Sequence, residues 1–360
     1  MGVFEVTQSG FDDLTSFNQH LAETGADAFT NDLYVVAGFS HYQEETLREL
    51  LRERGYTFRD YGAVQRISRT YTLPSGEDGN TAEYYLYYDE ESGVLLFYTD
   101  QRKTKEIDNT IGEFLAEERG VYYLYVSPQV FRALRDRVRQ EEDGAITRFI
   151  ADRVANSDYP ARIRPAYERT IQYHGDDGLD ALEEMETNYG VRPRNISFKI
   201  TNIAKFRVVR SGVFALEHGS VERFFEYIRL SVEEAQKVKD AFDASSFEML
   251  STTSELELPT SEPAVIRLSG ELEFNELRPI TTEMEDEGYL VVNSFQQEGS
   301  VYFTSRILDT KKENKFRLKA TEDEIRVFPQ ESENNVGSFL RFHEFVQNTI
   351  DPDASVTTPT

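Results

Sequence analysis

Cysteine is absent from the 360 residues, which removes disulfides, thiolate metal sites and thiol nucleophiles from consideration. Tryptophan is absent too, so ring chemistry rests on 25 phenylalanines and 20 tyrosines. Long apolar runs are missing, and no stretch nears the roughly 18 uninterrupted apolar residues of a membrane-spanning helix. The opening Met1-Gly2-Val3-Phe4-Glu5-Val6 has no basic segment followed by an apolar one, so the chain is expected to be soluble, unexported and cytoplasmic, with no membrane partner. Positive charge is scarce: 39 lysines and arginines face 65 acidic residues, for a net charge of -26.

That balance argues against a polyanionic partner only if it is a message about function. The acids are spread over nearly every expected helix instead of forming one tail, and ten lysines stand against twenty-nine arginines. The composition resembles the whole-surface acidity of salt-loving archaeal proteins. In about 1 M salt, such a surface is screened within about 3 Å, so the acidity is read as adaptation to solvent. Local departures from it then carry the information.

With 39% hydrophobic and 29% charged residues, the chain has enough apolar surface to fold, and its length suits two or three domains. Helix signals cover Phe11 to Thr24, Tyr42 to Gly55, Lys105 to Arg119 and the segment opened by Ser127-Pro128. Strand signals cover Leu33 to Phe39, Arg66 to Leu73, Ala82 to Tyr88, Gly93 to Thr99 and Val121 to Val126. Pro160 and Pro165 break the pattern. Beyond them come a strand at Glu168 to Tyr173, a helix at Gly178 to Tyr189, a hairpin from Ile196 to Leu216 and a helix from Val221 to Phe242. Ala244 to Pro263, rich in Ser, Thr and Glu, reads as a linker. Strands are then expected at Val265 to Phe274, Tyr289 to Phe295, Ser300 to Leu308, Lys315 to Lys319 and Glu324 to Phe328. A helix from Ser338 to Asn348 and a loose tail from Asp351 to Thr360 follow.

Lys205-Phe206-Arg207-Val208, a second strand and the helix bearing Phe224-Phe225-Glu226-Tyr227 are echoed about 110 residues later by Lys315-Phe316-Arg317-Leu318, a strand and Phe339-Leu340-Arg341-Phe342. A weaker third copy runs from Tyr84 to Leu115. The expected fold class is α+β: two to three related units of mainly antiparallel sheet with helices packed on one face. The expected division is 1–155, a central unit with a basic hairpin at 156–250, and a β-rich unit at 251–360.

Between Val191 and Leu216 lie six lysines and arginines and no acid. Alternation along Ile196 to Ile200 and Lys205 to Val208 gives one greasy face, expected beneath the following helix, and one basic face. Lys199, Lys205, Arg207 and Arg210 form the first candidate nucleic-acid surface, and Lys311, Lys312, Lys315, Arg317 and Lys319 the second. Arg162, Arg164 and Arg169 extend it, as do Arg66 and Arg69. No ring lies between these cations in the alternation, which favours contact with backbone over bases. The same cations also suit plain pairing with surrounding acids. Tyr84, Tyr85, Tyr87 and Tyr88 suit a sheet core, a stacking surface or a protein interface.

His174 and His218 each end a strand before Gly and an acidic helix, a setting for an anion, or for a metal with Asp176 or Asp177, although Asp177 and Asp180 equally suit ordinary first-turn positions. No phosphate-binding loop, dinucleotide fingerprint, nucleophile elbow or zincin pattern occurs, and no catalytic set, metal or cofactor is assigned. The expectation is a non-enzymatic accessory protein that binds DNA, RNA or a nucleoprotein complex. The alternatives are a scaffold subunit of a protein complex and a metal-dependent phosphoesterase or nuclease.

Overall fold

The computed structural model describes residues 3–72, 80–101, 106–141, 143–153, 169–251, 257–272, 277–296, 301–330 and 336–357. The first elements are α1 (Leu14–Thr24), β1 (Leu33–Ser40), α2 (Glu44–Glu53), β2 (Thr57–Tyr61), β3 (Val64–Tyr71), β4 (Asn80–Asp89), β5 (Val94–Thr99) and α3 (Ile111–Glu117). Next come β6 (Val121–Tyr123), α4 (Pro128–Arg139), β7 (Gly144–Arg153), β8 (Arg169–His174), α5 (Gly178–Tyr189), β9 (Val191–Ile200), β10 (Ala204–Val209), β11 (Val213–Gly219) and α6 (Val221–Asp243). The last are β12 (Ser246–Ser251), β13 (Glu257–Glu262), β14 (Ala264–Arg267), α7 (Leu277–Asp286), β15 (Tyr289–Gln296), β16 (Phe303–Asp309), β17 (Asn314–Ala320), β18 (Glu324–Pro329), α8 (Val336–Thr349) and β19 (Ser355–Thr357). The fold is mixed α+β, with three mainly antiparallel sheets among the described residues.

The chain divides into two compact units, residues 1–116 with 123–233 and residues 117–122 with 234–360, the second change falling inside α6. In the first unit the main sheet runs β2-β3-β4-β5-β1-β11-β10-β9-β7-β8. All eight residues of β1 are buried, which a strand with sheet neighbours on both edges and cover on both faces requires. β1 pairs with β5 on one side and with β11 on the other, so strands from the first and central thirds of the sequence share one sheet. Helix ends follow local chemistry. Asp13 and Ser16 form a reciprocal cap at α1, and Ser127 accepts from the Val130 amide at 3.2 Å before Pro128 opens α4. Phe17 of α1 meets Tyr85 and Tyr98 on one sheet face, and Phe206 packs on Phe224 and Tyr227 of α6.

In the second unit the six-stranded sheet runs β15-β16-β17-β18-β14-β19. Its inner face carries Tyr289, Phe316, Leu318, Ile325 and Val327, all buried, against Phe339, Phe342 and Phe345 of α8.

Several segments differ from the sequence reading. Within the expected linker 244–263, β12 and β13 pair as a hairpin from Ser246↔Glu262 to Ser251↔Glu257. Thr and Ser suit a strand as well as a loop, and their polarity hid the alternation of Phe247 and Met249. β7, for which no element was expected, lies between β9 and β8, with bulges after Ile146 and Ile150 that break its period of two. α7 was likewise unexpected. The expected tail contains β19, which pairs with β14. The expected boundary at Pro160 and Pro165 lies outside the described residues.

Candidate functional site

The alternation read from the sequence places the greasy side of β9 and β10 under α6: Phe198 and Phe206 are buried and stacked at 5.3 Å. The opposite side carries Lys199, Lys205 and Arg207, each half-buried. Register adds what the sequence pattern does not contain. Lys205 stands directly opposite Lys199, while Arg207 faces Ser197, which in turn faces Arg148 of β7. Lys205 meets the carboxylate of Glu217 at 2.6 Å, at the point where β11 bulges against β10. Asp152 lies 3.6 Å from Arg194 and 3.9 Å from Arg210. Arg210 is held mainly by backbone: its guanidinium donates to the Pro193 carbonyl at 3.1 Å. The ring at the margin of this face is Tyr34 of β1, whose hydroxyl is 3.4 Å from Asp32. Burial and then Asp32 raise its pKa, opposed by Arg207.

In the second unit, the face opposite α8 is more strongly basic. β17 projects Lys315, Arg317 and Lys319. Arg317 is registered against Arg306 of β16, and Lys319 against Arg326 of β18. Arg267 of β14 belongs to the same face, because it stands opposite Glu324, two residues before Arg326. Six cations thus share one face with Glu324, which pairs with Arg326 at 2.6 Å. Like charges directly opposite each other cost stability in a sheet, so these pairs demand either solvent or an anion.

The expectation of no ring among the cations is overturned here. Phe328 of β18 is paired with Arg317, whose guanidinium carbon lies 4.6 Å from the ring centre, and Lys319 Nζ lies 5.2 Å from it. The ring comes from the neighbouring strand, so the pattern within β17 does not reveal it. Beside the cations, β15 presents Leu290, Val292 and Phe295, exposed by 50%, 46% and 57%. These face Leu308, Arg306 and Thr304 respectively.

The remaining candidates have other surroundings. Lys312 is buried; its ammonium donates to the carbonyls of Glu118 at 2.7 Å and Val121 at 2.9 Å and lies 5.4 Å from the centre of the Tyr122 ring. Lys311 is exposed and 3.6 Å from Glu287. Arg169 stands opposite Arg153, whose Nε donates to Tyr189 O of α5, so it belongs to the helix-bearing side. Arg162 and Arg164 lie outside the described residues. Arg66 is engaged by Glu83 at 3.0 Å and Glu5 at 3.2 Å, and Arg69 lies 3.8 Å from Glu113.

Tyr84 and Tyr85 are fully buried, the first bonded to Thr110 at 2.7 Å and the second pushed up to about 12 by burial. His174 and His218 are exposed, and Asp177 bonds the Tyr173 hydroxyl. Among the described residues, no group of three or more His, Asp or Glu is placed to hold a metal. No helix there is long and apolar enough to cross a membrane.

Residues 130–211 match the AF_0896_M family middle domain, a span that contains Lys199, Lys205, Arg207 and Arg210. Over 339 residues the chain is 24% identical to an uncharacterized protein of the archaeon Archaeoglobus fulgidus, covering 90% of this chain and 89% of that protein. No solved structure matches the chain.

Proposed function

We propose that the protein is a non-enzymatic, nucleic-acid-binding accessory protein of a halophilic archaeal cytoplasm, and that each unit offers a basic sheet face to the phosphate backbone. The observation that carries this reading is the registered cation pairs: Lys199 with Lys205, Arg306 with Arg317, and Lys319 with Arg326. A chain with 65 acidic residues has ample means to neutralise such pairs, yet among the described residues the ion pairs made by these six cations are those of Lys205 with Glu217 and Arg326 with Glu324. Phosphates at close spacing satisfy adjacent cations and release counterions, and that release supplies most of the affinity for a charged polymer.

The second-unit face is the stronger of the two, since its cations frame Phe328 and adjoin exposed apolar side chains. Lys315, Arg317, Lys319, Arg306, Arg326 and Arg267 are the contacts assigned there, and Lys199, Lys205, Arg207 and Arg148 those assigned to the first unit. Lys312 and Arg210 are excluded as principal contacts because backbone carbonyls already hold them.

The test is a titration of labelled DNA and RNA by fluorescence anisotropy across a KCl series, with wild type, Lys205→Glu/Arg207→Glu and Arg317→Glu/Lys319→Glu. Both double variants are expected to weaken binding, the second more. Wild-type protein that binds neither polymer at any salt concentration, but carries a protein partner through nuclease treatment, would replace this reading with that of a scaffold.

A further inference from the structure

The outer face of the second unit's sheet carries two rows of different chemistry. The edge strand β15 holds Leu290, Val292 and Phe295 in water, while β16, β17, β18 and β14 hold the six cations. From this juxtaposition we infer that the bound form of nucleic acid is a single strand, with unpaired bases stacked on Phe295 and its apolar neighbours and the phosphates laid over Arg306, Arg317 and Lys319. The inference rests on the nucleic-acid reading of the same face and narrows its substrate class.

Three physical points lead there. The first is width: five strands spaced about 4.8 Å apart make a platform about 19 Å across, wider than the roughly 12 Å major groove that admits a helix or a two-stranded ribbon. The face therefore cannot enter a duplex, and a duplex lying on it offers phosphates alone.

The second is exposure. Phe295 is 57% exposed and Leu290 50%, on a face that also carries six cations. A duplex keeps its base faces inside and leaves such side chains in water, whereas a single strand turns base faces outward, and every base has one.

The third is placement. Phe295 stands opposite Thr304, two residues from Arg306, which stands opposite Arg317. An apolar row at the edge followed by cations on the inner strands is the order a splayed nucleotide needs, base at the edge and phosphate inward. Phe328, already flanked by Arg317 and Lys319, is buried and orients those cations instead of meeting a base.

The test uses the full chain and short labelled strands of DNA and of RNA, each single and annealed to its complement. Wild type is expected to hold the single strand at least about tenfold more tightly than the duplex, with either sugar counting as support. Phe295→Ala should weaken the single strand by about tenfold and leave duplex affinity and far-UV circular dichroism unchanged, and Phe295→Tyr should retain the wild-type value. Equal affinity for duplex and single strand, or a Phe295→Ala variant that binds the single strand as wild type does, would overturn the inference while leaving the basic-face reading standing. Failure of wild type to bind either form would instead remove that reading.

Discussion

At the residue scale Asp309 is a fully buried carboxylate held by several partners. Its carboxylate accepts from Ser338 Oγ at 2.9 Å and from the Lys311 and Lys312 amides at 3.0 and 3.2 Å, and it pairs with Arg341. Arg341 also donates to the Glu287 carbonyl and lies 4.3 Å over the Tyr289 ring. Removing one partner of a buried pair leaves the other charge without compensation, so Asp309→Ala should cost about 3–5 kcal/mol in a urea denaturation measurement. The double variant Asp309→Ala/Arg341→Met should cost less than the two single changes added together. A single variant within about 1 kcal/mol of wild type would show that water reaches Arg341. This network was not legible in the sequence, because Asp309, Ser338 and Arg341 are joined only when α8 folds back over the start of the Lys311-Lys312 turn. Lys312 teaches the same lesson in reverse: it sits in a basic run, and only the fold reveals that its ammonium is spent on two carbonyls.

At the element scale, period-two alternation carried most of the correct information. It identified the helix-facing Phe206 and Phe316 and the outward Lys205, Arg207, Lys315, Arg317 and Lys319, since each of these strands keeps an unbroken alternation. It failed where bulges interrupt β7 and where Ser and Thr disguise β12 and β13. Register was invisible throughout, and the cation pairs and Phe328 depend on it.

The turn joining β10 to β11 shows how tightly the basic hairpin is fixed. Gly212 has φ of 67°, and a Cβ there would stand 2.6 Å from Leu124 O and 2.8 Å from Ala37 O. Its own carbonyl accepts from the Ala37 amide at 2.9 Å, which pins the hairpin to β1. Gly212→Ala should destabilise the protein by about 1–3 kcal/mol through backbone strain alone, with the contact adding to that. An unfolding midpoint equal to wild type would mean that the turn relaxes freely.

At the scale of the whole molecule, charge sets the conditions under which everything above operates. A net charge of -26 repels itself in dilute buffer and is screened within about 3 Å in 1 M salt. The unfolding midpoint should therefore rise steadily as KCl is raised, and a midpoint that is flat or falling would mean that the acidity has some other purpose. The α+β class was legible because alternating strands and helical runs survive any arrangement in space. How strands from the first and central thirds join in one sheet was not, since β1–β11 pairing links residues about 180 positions apart.

High salt also weakens phosphate contacts, so a nucleic-acid site in such a protein must concentrate its cations, as the six on the second unit's outer face are concentrated. The decisive experiment is the slope of log affinity against log KCl for a single-stranded probe, in wild type and in Arg317→Glu/Lys319→Glu. Binding through that face predicts a negative slope that becomes shallower by about two when the two cations are reversed, with affinity falling at every salt concentration. An unchanged slope and affinity in the double variant would contradict it.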